Sequence, residues 1–135
     1  MGVAELDIQN RHLYIIAKIF FYGDAANETI SAVIASDIQQ HWNEPNAGVI
    51  IKSIFYKVIF NINGKYAPDL QPADIFENDN PSHNYFRVEE YSNIDISFVD
   101  GIGSNTGYFK LANLLNNSTT AAHEFGHTLG LIHPH

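Results

Sequence analysis

Between residues 11 and 22 the chain is apolar on both alternating faces, from Leu13 and Tyr14 through Ile19, Phe20 and Phe21. A run of β-branched and aromatic residues without polar alternation predicts a central strand covered on two sides. From Asp24 the period changes, and Ala26, Ile30, Val33, Ile34, Ile38 and Trp42 recur at intervals of three and four among Asn27, Glu28, Ser31 and Gln39. That spacing predicts an amphipathic helix of about five turns, capped by Asp24 and stopped before Pro45, with Trp42 anchoring its end in the core. A second apolar run over residues 49–62 predicts one long strand, bulged near Lys52 and Ser53, with Asn63-Gly64 turning the chain after it. Strand, helix and strand in about fifty residues make a βαβ unit, hence a parallel pair with a right-handed connection.

Residues 66–84 collect Pro68, Pro72 and Pro81 among aspartates and asparagines and predict a polar loop without elements of its own. Two short strands follow, over residues 84–91 and 93–99, the second alternating Ile94, Ile96 and Phe98 with Asp95 and Ser97. Residues 100–107 form a glycine-rich loop, and residues 108–111 a last short strand. The loop lacks the GxGxxG spacing and does not lead from strand into helix, so it carries no nucleotide fingerprint. Asn116, Asn117, Ser118 and Thr119 supply N-cap candidates for a terminal helix whose Ala122, Phe125 and Leu129 face the core while His123 and His127 face outward. The fold class expected is α+β: a twisted, mostly parallel mixed sheet of about five strands, a backing helix and a C-terminal helix, all in one domain over residues 1–135.

Composition narrows the chemistry. Seven Lys and Arg against 15 Asp and Glu give a formal charge of -8, which excludes the basic footprint that nucleic acid or an anionic membrane would need. With no cysteine, disulfides, thiolate metal sites and a cysteine nucleophile are all excluded. No apolar run reaches the roughly 18 residues of a membrane span, and the first residues lack the basic start and apolar core of a signal peptide. The expectation is therefore an intracellular protein or a mature extracellular domain excised from a longer chain, and the second is adopted.

The chemistry sits in the last stretch, His123-Glu124-Phe125-Gly126-His127-Thr128-Leu129-Gly130-Leu131-Ile132-His133. On a helix, His123 and His127 stand about 40° apart round the axis and about 6 Å along it, so two imidazoles can meet on one ion. His133 would point about 240° away if the helix continued. Gly130, able to take the left-handed conformation that ends a helix, lets the chain return His133 beneath the metal. Three neutral imidazoles with one open position suit zinc in a catalytic geometry, and Glu124 beside them suits a general base. His135 is a rival third ligand. His12, His41 and His83 read as ordinary histidines without a role. The oxygen-rich side chains of the 66–84 loop are of the kind calcium takes, but EF-hand spacing is absent, so Ca2+ stands only as a secondary expectation beside Zn2+.

This stretch matches HExxHxxGxxH and resembles the signature of the metzincin zinc metalloendopeptidases. Pro134 after the third histidine is similar to the serralysin branch, and Glu124-Phe125-Gly126-His127 to the matrix metalloproteases. The resemblance implies a zincin-like fold with His123, His127 and His133 on zinc and Glu124 as base toward a water attacking a peptide carbonyl. It further implies that residues 93–99 form an inner strand, with the short strand before the motif helix bordering the cleft. The partner would be an extended peptide or protein added to a strand edge, and the enzyme a monomer.

One departure stands out. Metzincins carry a methionine-containing turn beneath the metal, whereas the only methionine here is Met1. The expectation is a catalytic domain with the upper subdomain and motif helix but without the lower one. Two other readings stay open: a non-catalytic zinc-binding interaction domain, and the protease module of a larger toxin or processing polypeptide.

Overall fold

The computed structural model describes residues 1–90, 97–114 and 119–132. In chain order the elements are β1 (Val3–Asp7), β2 (His12–Tyr22), α1 (Glu28–Asn43), β3 (Gly48–Ile51), β4 (Ile54–Tyr66), α2 (Pro72–Phe76), β5 (His83–Glu89), β6 (Phe98–Val99), β7 (Thr106–Lys110), a 3₁₀ turn (Leu111–Leu114) and α3 (Thr120–Thr128). The chain is thus α+β. Its strands form one mixed sheet in the order β3-β4-β2-β5-β7-β6, seven strands among the described residues where about five were expected.

β2 is central, as its composition predicts. One edge pairs in parallel with β4 over His12–Phe21, and the other edge is shared by β1, antiparallel, and β5, parallel. β1, over Val3–Asp7, has no counterpart among the expected elements. The expectation of cover on two sides is corrected. Ala17, Ile19 and Phe21 are buried beneath the helices, while Lys18, Phe20 and Tyr22 on the other face are only half-buried. The core lies on the helix side, where Phe21, Phe86, Val88 and Phe109 pack with Ile34, Ala35 and Ile38 of α1 and Phe125 of α3. Each fully buried side chain of this size contributes about 1.5–3 kcal/mol.

The strand, helix and parallel strand of β2, α1 and β4 follow the expected βαβ order. The cap differs: Asn27, and not Asp24, receives the N–H of Ile30 on its Oδ1 at 2.7 Å. Asp24 instead accepts the Glu90 N–H at 3.2 Å. Val33, counted on the apolar face, falls on the far side of α1 from Ser31, Ala35 and Ile38 and is exposed.

The predicted long strand over residues 49–62 is a hairpin. Lys52 and Ser53 both have positive φ, 49° and 67°, and Ile51 pairs with Ile54, which makes them the two-residue loop between antiparallel β3 and β4. Nor does Asn63-Gly64 turn the chain, because β4 continues to Tyr66. Gly64 serves close approach: a Cβ there would lie 2.6 Å from the Ser31 carbonyl oxygen and 2.7 Å from the Ala35 methyl. Beyond the hairpin the edge of β4 is closed by α1. Asn43 exchanges two hydrogen bonds with the Phe60 backbone, and Gln39 accepts the Ile62 N–H at 2.9 Å. These carboxamides do what a neighbouring strand would.

The 66–84 loop is polar as expected but contains α2, begun by Pro72 and held by the Asp74 carboxylate on the Gln71 N–H at 2.8 Å. The sheet order also corrects the strand placement, since β7 lies inside, parallel to β5, and β6 pairs antiparallel on its outer edge. Residues 93–96 of the expected inner strand lie outside the described residues. Among the described residues no helix is long and apolar enough to cross a membrane.

Candidate metal centre

α3 is seated by one face. Ala121, Ala122, Phe125 and Thr128 are buried against the core, Leu129 is half-buried, and His123 and His127 point the other way. Thr119 precedes the helix without a side-chain cap bond, and Asn116, Asn117 and Ser118 lie outside the described residues. Gly126 sits where α3 meets α1. A Cβ at this position would be 2.9 Å from Cζ2 of Trp42, so the glycine is what lets the helix lie on the indole. Trp42 is itself pinned, its Nε1–H donating to the Ala122 carbonyl at 3.0 Å.

The helix ends as its sequence predicts. Gly130 has φ 91°, its N–H donates to the His127 carbonyl at 3.0 Å, and the Leu131 N–H reaches back to Gly126 at 3.1 Å. This is a Schellman ending, and it reverses the chain just after the second histidine. The glycine-rich loop before β7 touches the same end, the Gly103 N–H donating to the His127 carbonyl at 2.7 Å.

Within this frame the two imidazoles converge. Their rings are perpendicular, at 87°, with centroids 4.8 Å apart, and the Nε2 atoms lie 3.2 Å from each other. His127 Nδ1 lies 2.7 Å from the Leu131 carbonyl, which can only accept, so Nδ1 carries the proton. In the neutral ring Nε2 is then the unprotonated nitrogen, and it accepts the Nε2–H of His123 at 3.2 Å. A carbonyl that fixes the tautomer of a histidine from behind is a recurrent accompaniment of metal ligation. Glu124, partly exposed, follows His123 on the same turn.

Among the described residues no group of three or more His, Cys, Asp or Glu side chains is arranged to hold a metal ion. His133 and the rival His135 lie outside the described residues, so the structure brings together two of the three expected ligands. Two imidazoles whose Nε2 atoms converge fit zinc, toward which His123 Nε2 would give up its proton, and they do not fit calcium, which takes oxygen ligands.

Two residues that sequence reading had set aside border the site. A cavity of about 340 Å³ is lined by His123 and His127 together with His41, Trp42, Thr119, Gly126, Leu131 and Ile132. His41 had been given no role, and Trp42 had been read as a core anchor. The one local hint was Gly126, a residue small enough to admit a large neighbour on the contact face. His12, by contrast, packs edge-on against Tyr14 and lies 3.2 Å from its hydroxyl. No family model, curated protein or solved structure compared with this chain matches it.

Proposed function

We propose that this protein is a zinc-dependent endopeptidase of the metzincin type. The observation that carries the reading is the His123–His127 pair, whose Nε2 atoms converge while the Leu131 carbonyl holds His127 in the tautomer a metal requires. His123 and His127 would hold the ion, with His133 as third ligand. A bound zinc ion supplies Lewis-acid polarisation of a peptide carbonyl and lowers the pKa of water.

The remaining steps belong to the chain. Glu124 takes a proton from the attacking water and passes it to the leaving amine, a role open to a carboxylate next to the first histidine and accessible to solvent. Substrate is held extended. β6, at the end of the sheet and packed beside α3, offers an edge on which a peptide can be added as a strand. The element order and the seating of the motif helix on the core support a zincin-like architecture.

The test compares wild type with Glu124→Ala in zinc content and in cleavage of an unstructured protein such as casein. The expected result is equal zinc and turnover by wild type alone. Zinc bound without turnover in either protein would favour a non-catalytic zinc domain.

A further inference from the structure

The formal charge of -8 hides a local reversal. Between Glu44 and Asp69 the chain carries Lys52, Lys57 and Lys65 and no acidic residue, and this stretch folds into β3 and β4. None of the three lysines is in an ion pair among the described residues. Large apolar side chains stand in solvent beside them: Ile50 is 71% exposed, Phe55 59% and Ile54 38%. We propose that this hairpin docks an extended acidic peptide segment of another protein, which joins the sheet as a strand on the free edge of β3.

Three observations carry it. The first is a row of open backbone groups. β3 ends the sheet on the side opposite β6. The Val58 N–H donates to the Ala47 carbonyl at 2.9 Å, so in the alternation of an antiparallel ladder Val49 and Ile51 bond to β4 while Gly48 and Ile50 turn their N–H and C=O outward. Farther along, the edge of β4 is closed by Asn43 and Gln39, whereas β3 is short but has no charge, proline or bulge to deter a further strand. The second is shape. The register puts Ile50, Phe55 and Lys57 on one face, and a Cβ on Gly48 would lie 2.2 Å from Cε2 of Phe55, so the ring lies across the glycine and carries the apolar surface out to the edge. A strand added there would cover both Ile50 and Phe55. The third is charge: carboxylates on that strand would meet Lys52 and Lys57, which have no countercharge of their own. The same features disfavour other occupants. Lipid would leave the outward groups of Gly48 and Ile50 without partners, and a second copy would set two basic hairpins against each other.

The test uses Glu124→Ala protein, so that no cleavage intrudes, and a fluorescein-labelled peptide alternating glutamate and valine. The peptide should bind saturably and more weakly as salt is raised. In the complex the Gly48 and Ile50 amides should become protected from hydrogen exchange. Ile50→Pro removes one outward N–H and leaves the bonds to β4 in place, and Lys57→Glu reverses an exposed charge. Each should weaken binding by about tenfold or more. A peptide with lysine in place of glutamate, and one N-methylated throughout, should not bind. Absence of binding overturns the proposal, as does equal binding of the lysine peptide or binding indifferent to both substitutions. Sedimentation with phosphatidylserine vesicles, or a doubling of mass with concentration in the absence of peptide, would overturn it too if lost in Ile50→Pro and Lys57→Glu, and would assign the hairpin to a membrane or to a second copy. Casein cleavage by wild type tests the histidine site separately, so either reading can fail without the other.

Discussion

Gly126 is the residue on which the seating of the motif helix turns. With no side chain it allows Trp42 to lie against α3, and Trp42 cannot retreat, because its Nε1 is tied to Ala122 and its ring to His41 and Phe60. Gly126→Ala is therefore expected to lose about 1–3 kcal/mol by overpacking, in spite of the better helix propensity of alanine. Thermal unfolding measures it, and an unchanged or raised Tm would refute the packing account. A second residue-scale prediction concerns Glu89, which accepts a hydrogen bond from Arg87 Nε and neighbours Asp24. Burial first, and then its bond to Asp24, raise the Glu89 carboxyl above the ordinary carboxylate range, while the bond from Glu89 lowers Asp24. A raised folded pKa means stability that is complete below the unfolded value and lost as pH rises through the folded one. Asp24 works in the opposite sense, losing its contribution as pH falls through its lowered value. From weakly acidic to neutral pH, wild type should thus lose stability relative to Glu89→Gln, which keeps an N–H toward Asp24. Urea unfolding at a series of pH values decides this, and parallel profiles would contradict it. At this scale the sequence was plain for His123, Glu124 and His127, whose relation is four residues of helix. It was silent on His41 and Trp42, because their nearness to the motif exists only after α1 and α3 pack.

Local periodicity was a sound guide to elements wherever one face was buried. β2, α1 and α3 follow their patterns to within a few residues, and Gly130 ends the motif helix with the left-handed φ its position required. The hairpin of β3 and β4 was missed for a physical reason. Apolar residues occur on both faces of residues 49–62, so the pattern does not register the change of direction. Lys52-Ser53 also lacks the asparagine or glycine that usually marks a turn with two positive φ values. The same fact gives a prediction. Lys52→Asn with Ser53→Gly matches side chain to backbone at both positions and should stabilise the protein by about 0.5–2 kcal/mol. A Tm that falls or stays constant would mean that the turn is not of this type. Gly64 misled in the opposite direction: a glycine after asparagine signals a turn, yet here it marks where α1 presses on a continuing strand.

Taken whole, the molecule places a sheet on one side of two helices and directs the histidines of the second helix away from the core. α3 is joined to α1 through Trp42 and Gly126, and to the β6–β7 connection through Gly103 and His127, so the site is braced from both flanks. That bracing was not readable from the chain, since each contact joins segments far apart in sequence. The acidic balance and the lack of cysteine were readable, and they exclude a basic nucleic-acid footprint and thiolate chemistry. The central claim, that His123 and His127 serve a zinc centre at which Glu124 acts as base, is tested most directly by zinc stoichiometry and casein cleavage measured on the same samples of wild type, Glu124→Ala and His123→Ala. The account predicts one zinc with turnover in wild type, one zinc without turnover in Glu124→Ala, and neither in His123→Ala. Turnover retained in Glu124→Ala, or zinc retained undiminished in His123→Ala, would contradict it.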